Sequence, residues 1–202
     1  MQALLRLSVG TLFVGLLLMM LGIPSQTAAQ VSTEKPATMS VIHFQGMPRG
    51  GGFKLWIKAR ILEIVTLPGE DLAQVAKDAA DKINTDPEMR TQGVTAKTQG
   101  NELTIHANEV WVFLCPTDKG LGVPPAPYDL RVRREADGFF HLSWKLPPGG
   151  YDRIHVLRGT VPIADGIGGT NTSFGDVASE EQPSYLVFGI KNGMPSCAAT
   201  LR

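Results

Sequence analysis

Hydrophobic and polar positions alternate in short segments between residues 39 and 115, and a period of two is typical of β-strands with one buried face. The alternation predicts strands at 53–61, 94–98 and 103–107, and the short, largely apolar segments 40–44 and 110–114 predict two more. In the segment 53–61 the pattern is unbroken, so we expect a single long, half-buried strand there. Its exposed side would carry Lys54, Trp56, Lys58 and Arg60.

One segment repeats its apolar residues every three to four positions, which predicts a helix. Pro68 and Asp71 stand at its start, where proline and acidic residues are favoured. Its apolar face would consist of Leu72, Val75, Ala76, Ala79, Ala80 and Ile83. The segment 84–87 would end it. One helix packed on an antiparallel sheet makes residues 39–115 a small α+β domain.

Part of this domain, residues 70–107, resembles the repeat found in flagellin and hook-associated proteins. The likeness lies in the end of the helix at 82–84, the strand at 93–96 and the hairpin at 100–105. It implies a role in assembly or in a surface structure, without chemistry of its own.

The last third of the chain is punctuated by short strand patterns. One is His141-Leu142-Ser143-Trp144, shortly before the turn at 147–150, and others lie at 154–158 and 185–189. The opening segment 125–132, the segment 170–176 and the turn at 191–196 complete the series. Together these segments resemble a fibronectin type III domain over about residues 125–202.

The resemblance implies a β-sandwich with Trp144 in its core and with Tyr185 in a corner contact to the backbone. Members of the family usually run to about 90–100 residues. The segment here is shorter, so the strand between Arg158 and Thr170 should be short or missing, with only 161–163 left for it. The resemblance also implies a module that binds or spaces and does not catalyse. The expected fold class is therefore mainly β.

The first 29 residues have the pattern of a secretion signal. A short segment ending at Arg6 precedes an apolar run over 7–23, and small residues at 27–29 suit signal peptidase. We expect cleavage after Ala29 and a secreted protein, extracellular or periplasmic. The apolar run of about 17 residues is at the lower limit for crossing a bilayer. The alternative is that the segment stays uncleaved and anchors the protein. We expect contact with a membrane only in that case.

Composition supplies the remaining boundaries. Residues 30–38 are polar and contain proline, which predicts a flexible leader, and residues 116–124 are rich in Gly and Pro, which predicts a linker. The sandwich then occupies 125–202. The chain has 19 basic and 19 acidic residues and a formal net charge of zero, so no bulk charge attracts nucleic acid.

Motifs for chemistry are lacking in the sequence. We find no nucleophile elbow, zinc-protease motif or phosphate loop, and the four His are scattered. The sequence therefore predicts no catalytic residues, no cofactor and no metal site. Cys115 and Cys197 are a candidate disulfide in an oxidising compartment, with two buried free thiols as the alternative.

These observations favour a secreted, non-enzymatic module that binds or assembles at the cell envelope or outside the cell. Its partner would be a protein or polysaccharide of the cell surface. The first alternative is an accessory carbohydrate-binding protein, because a basic ladder beside an aromatic ring suits an acidic polysaccharide. Lys54, Trp56, Lys58 and Arg60 are the candidate ligand face. The second alternative is a small secreted enzyme whose site is assembled from scattered residues.

Overall fold

The computed structural model describes residues 39–201. The predicted signal (1–29) and leader (30–38) lie outside these residues. The first half contains β1 (Met39–His43), β2 (Phe53–Ile57), β3 (Arg60–Ile64), α1 (Leu72–Thr85), α2 (Pro87–Thr91), β4 (Thr95–Gln99), β5 (Glu102–His106) and β6 (Val112–Pro116). The second half contains β7 (Tyr128–Arg134), β8 (Phe139–Lys145), β9 (Arg153–Arg158), β10 (Val161–Gly168), β11 (Ser173–Val177), β12 (Tyr185–Lys191), β13 (Met194–Pro195) and β14 (Ala199–Thr200).

The N-terminal domain is a small antiparallel α+β unit, as predicted, but its strands form two sheets. One sheet has the order β1-β5-β4 and the other β3-β2-β6. The apolar face of α1 packs against them, with Val75, Ala79 and Ile83 fully buried. Asp71 starts α1 by accepting a hydrogen bond from the backbone N–H of Ala73 (3.0 Å). Asp86 ends it and caps α2, a short helix that the sequence pattern did not predict.

The predicted single strand at 53–61 is wrong. The chain turns back at Lys58-Ala59, so that Ile57 pairs with Arg60 and the segment becomes the hairpin β2–β3. Lys58 adopts a positive φ of 54°, which a hairpin turn of this kind requires. The turn also exchanges the two faces: Leu62 and Ile64 are buried in the core, whereas Ile61 is exposed on the side opposite to the one predicted.

The C-terminal domain is a β-sandwich with the fibronectin type III-like arrangement. Its two antiparallel sheets have the orders β11-β8-β7 and β10-β9-β12-β13, and β14 also pairs with β12. The core between them contains Leu142, Trp144, Ile154, Val156, Tyr185 and Val187. Trp144 is buried as expected, and its indole N–H donates to the carbonyl oxygen of Asn171 (2.9 Å).

Two details of the sandwich differ from what the resemblance implied. The strand expected to be short or missing is β10, which runs for eight residues but shifts register twice against β9. Because of these register shifts and of Pro162 inside the strand, the sequence of β10 shows no regular alternation of apolar and polar residues. The hydroxyl of Tyr185 donates to the carboxylate of Asp176 (2.7 Å) and not to the backbone. The hydroxyl of Tyr151 makes a backbone contact instead, to the carbonyl oxygen of Pro125.

The two domains share a packed interface. The outer face of the sheet β3-β2-β6 meets the outer face of the sheet that contains β9 and β12. Their contact is an apolar cluster formed by Trp56, Trp111, Phe113, Cys115, Leu157, Leu186, Phe188, Ile190 and Ala198. Met194, the first residue of β13, is fully buried in the core of the N-terminal domain. Cys115 and Cys197 form a disulfide across this interface, which confirms their predicted pairing.

The segment predicted as a linker is held against the N-terminal domain. Its Leu121 is buried in that domain's core, and the N–H groups of Met47 and Gly122 are hydrogen bonded across the contact (2.9 and 2.8 Å). A Cβ atom added at Gly120 would lie 1.9 Å from the carbonyl oxygen of Met47. The absence of a side chain at Gly120 therefore allows the backbone of this segment to pack closely on the backbone at Met47.

Candidate binding surface at the edge strand

The structure brings two of the four predicted ligand-face residues together. Lys54 and Trp56 lie on the outer face of β2, next to Glu63 and Ile61 of β3 respectively. The ammonium group of Lys54 lies 3.2 Å from the carboxylate of Glu63, and both side chains are well exposed. Trp56 is half-buried, because its ring stacks on Phe113 at a centroid distance of 5.2 Å.

The other two predicted residues are engaged elsewhere. Lys58, in the turn, donates to the carbonyl oxygen of Asn108 (2.8 Å). Arg60 contacts the carboxylates of Asp86 (2.8 Å) and Glu88 (3.3 Å) at the start of α2. The hydrogen bond and charge of Asp86 raise the pKa of Arg60, and backbone N–H donation from Met89 followed by Arg60 itself lowers the pKa of Asp86. The structure thus contains no continuous basic ladder at these four positions.

A different surface becomes visible beside Lys54 and Trp56. Along β3 and the residues after it, positions 61, 63, 65 and 67 are exposed, whereas 62, 64 and 66 are buried. Three of the exposed positions are large and apolar: Ile61 (39% exposed), Val65 (70%) and Leu67 (65%). We call Ile61, Glu63, Val65 and Leu67 the edge stripe. Alternation from Arg60 to Leu67 could have revealed it, had the turn at Lys58 been recognised.

The backbone of this segment lies at the border of its sheet. Within residues 39–201, β3 pairs with β2 and with no other strand. In antiparallel pairs, residues alternate between those that bond to the neighbour and those that point away. Arg60, Leu62 and Ile64 close the ladder with β2, so the N–H and C=O groups of Ile61, Glu63 and Val65 point outward. Beyond them, the backbone of Leu67 is already engaged: its N–H donates to the carboxylate of Glu70 (2.8 Å), and its carbonyl oxygen accepts from the N–H of Glu70 (3.1 Å).

A buried carboxylate fixes the end of the edge stripe. The Asp118 side chain is fully buried and accepts the hydroxyl proton of Thr66 (2.6 Å), the residue between Val65 and Leu67. It also accepts from the backbone N–H groups of Arg49 (3.0 Å) and Gly120 (2.7 Å), and from that of Gly50 (3.1 Å). Burial disfavours its ionised form, but these hydrogen bonds outweigh burial and lower the pKa of Asp118.

Other features of the described surface are weaker candidates for a binding site than the edge stripe. In an open hollow of about 400 Å³ on the outer face of sheet β11-β8-β7 the charged groups are already paired, since Asp129 contacts both Arg131 (3.0 Å) and Lys145 (2.8 Å). His155 lies 2.6 Å from Asp165, but its ring stacks on Phe188 in the domain interface. No group of three or more His, Cys, Asp or Glu side chains suited to a metal ion occurs among residues 39–201. In that same range no helix is long and apolar enough to cross a membrane.

Comparisons with known proteins return fibronectin type III structures. No protein-family model matches the chain, and no curated protein matches it. The chain is similar to a fibronectin type III domain of human collagen XX, with 23% identity, 38% of this chain and 91% of that chain covered, and a TM-score of 0.29. It is also similar to a two-domain fibronectin type III segment of chicken tenascin, with 11% identity, 83% and 98% covered, and a TM-score of 0.33. Because these scores are low, the fibronectin type III-like assignment rests on the strand order of the C-terminal domain.

Proposed function

We propose that this protein is a secreted, non-enzymatic module that binds or assembles at the cell envelope or outside the cell. The observation that carries the proposal is the disulfide between Cys115 and Cys197, which fastens two β-rich domains into one body. Structural disulfides persist in oxidising compartments, which agrees with the secretion signal predicted at 1–29. A body fixed in this way suits presentation of a surface to a partner, or a defined spacing between partners.

The surface chemistry supports binding more than catalysis. The edge stripe is exposed, apolar at three of its four positions and held on a β-sheet scaffold, which is typical of protein interaction sites. The charged side chains around the hollow near Asp129 are paired with one another, so they do not converge on an unfilled position. An accessory carbohydrate-binding function has less support, because Lys58 and Arg60 are engaged with Asn108, Asp86 and Glu88.

The test is retention of the mature chain, from Gln30 onward, on the producing cell's envelope fraction and on its purified wall polysaccharides. The whole chain must be used, because Met194 belongs to the core of the other domain and separated halves would each expose apolar surface. We expect saturable retention on a protein component of the envelope. Turnover of an envelope polymer, or absence of retention together with a monomeric state in solution, would overturn the proposal.

A further inference from the structure

The edge of the sheet at β3 is less protected than the edges of the sandwich at β10 and β7. Exposed strand edges normally carry charges, prolines or bulges that block pairing with another chain. At the edge β10, Pro162 and two register shifts provide such protection. At the edge β7, Asp129 has a positive φ of 56° beside a register shift, and Arg131 is exposed. The edge stripe on β3 has one charge, Glu63, between two exposed apolar residues.

The backbone geometry defines what can cover this edge. The outward N–H and C=O groups of Ile61, Glu63 and Val65 repeat every second residue, which matches the hydrogen-bonding period of an extended strand. A helix satisfies its own backbone and a sugar has no such repeat, so neither would pair with these groups. Recognition by strand addition uses main-chain bonds for affinity and alternate side chains for specificity.

The side chains define the sequence of the added strand. Cross-strand neighbours of Ile61 and Val65 must be apolar to cover them. The neighbour of Glu63 should be basic, because the Glu63 side chain is 71% exposed and its ion pair with Lys54 (3.2 Å) lies at the surface, where Lys54 is itself 49% exposed. A surface pair of this kind contributes little, so Glu63 is available to a second cation.

We propose that β3 is the docking edge for an extended peptide strand of a partner protein, with a basic residue opposite Glu63 and apolar residues opposite Ile61 and Val65. The added strand extends the sheet β3-β2-β6 at its open side, on the edge opposite to β6. This proposal rests on the binding function proposed above and names its surface and the chemistry of its partner.

Amide hydrogen exchange tests the open edge in the protein alone. The N–H groups of Ile61, Glu63 and Val65 should exchange at least tenfold faster than those of Leu62 and Ile64, which are bonded to β2. Equal protection of the two sets would overturn the proposal, because the outward groups would already have partners.

Peptide binding tests the chemistry of the partner. The probe is a capped synthetic peptide, Thr-Val-Thr-Lys-Thr-Val-Thr, followed by NMR of the full mature chain. We expect slowed exchange and shifts at Ile61, Glu63 and Val65, and about fivefold weaker binding of the same peptide with Glu in place of Lys. No effect at these amides up to the solubility limit, or effects centred elsewhere, would overturn the proposal.

Two matched variants connect the edge to the function. Val65→Lys places a charge on the edge, whereas Val177→Lys places it at an equally exposed valine of β11 (70% and 74% exposed). Val65→Lys should abolish peptide binding and retention on the envelope, and Val177→Lys should preserve both. Equal effects of the two variants would overturn the docking edge. Envelope retention that survives Val65→Lys would also overturn it, while leaving the binding function itself in place.

Discussion

Replacement of Asp118 by Asn should weaken the fold and the edge stripe together. The carboxylate joins three separate segments, because its oxygen atoms accept hydrogen bonds from Thr66, from the loop at Arg49-Gly50 and from Gly120 of its own segment. One oxygen accepts from Gly120 and Arg49, and the other from Gly50, Arg49 and Thr66. Asparagine has nearly the same shape, but one of its two terminal atoms is a donor.

The geometry gives the magnitude. Whichever way the Asn amide is oriented, its NH₂ group faces the N–H of either Gly120 or Gly50. The Thr66 hydroxyl can reverse and accept, but a backbone N–H cannot. One buried donor is thus left unbonded at about 1–3 kcal/mol, and the remaining bonds lose their charge assistance. We expect the free energy of unfolding to fall by about 2–4 kcal/mol.

The loss should depend on pH in a defined direction. Because the pKa of Asp118 is lower in the folded chain than its unfolded value of about 3.9, ionisation of this group stabilises the folded state above that pH. The contribution disappears as the pH falls through the folded pKa. The difference between the wild type and Asp118→Asn should therefore be constant near neutrality and shrink in acid.

Urea denaturation followed by tryptophan fluorescence, at several pH values, measures both effects. Asp137→Asn is the matched control, since Asp137 also accepts a backbone N–H, from Phe139 (3.0 Å), but is exposed. Its effect should stay within about 0.5 kcal/mol. A loss below about 1 kcal/mol for Asp118→Asn, or a loss that is the same at all pH values, would refute the reasoning about the buried carboxylate.

Further predictions concern the domain interface and the buried tyrosines. Met194→Ala should cost about 2–5 kcal/mol, because the side chain is fully buried in the opposite domain's core, and calorimetry should still show a single transition. Reduction of Cys115–Cys197, which are 82 residues apart, should cost up to about 4.5 kcal/mol by the chain-entropy model, measured by urea denaturation with and without reductant. Burial raises the pKa of Tyr151 to about 12, and burial with the Asp176 contact raises that of Tyr185. Both tyrosines should therefore stabilise the fold below their unfolded pKa of about 10, and that stability should be lost as the pH rises toward the folded values, seen as phenolate absorbance that appears with unfolding.

Local signals in the sequence were sufficient for α1 and for the hairpin of β4 and β5. The apolar residues of α1 repeat with helical spacing, and the turn at Gly100-Asn101 separates two clean alternations. The hairpin of β2 and β3 was missed because Lys58-Ala59 contains neither Gly nor Pro. Apolar residues also stand at positions 59 and 61, so the alternation of β2 continues through the turn and its change of phase is visible only from Leu62 onward.

Long-range packing could not be read in the same way. Gly120 belongs to a segment that looks like a flexible linker, yet its glycine is needed because a backbone carbonyl lies where a Cβ would stand. Asp118 looks like a surface acid until the fold places four donors around it. The edge stripe escaped prediction for a related reason: its unpaired backbone depends on β3 lying at the end of its sheet, which is a property of topology and not of composition.

The domain interface also limits where a partner can bind. In the C-terminal sandwich, the outer face of the sheet with β9 and β12 is covered by Trp111 and Phe113 of the other domain. That face is therefore occupied within the chain, and a ligand could reach it only by separating the domains against the disulfide and the buried Met194. The open edge at β3 lies at the other side of the same N-terminal sheet, beyond β2 from β6. One sheet thus anchors the sandwich with its β6 side and leaves its β3 side open, so a strand bound at β3 would be held at a fixed orientation to the sandwich.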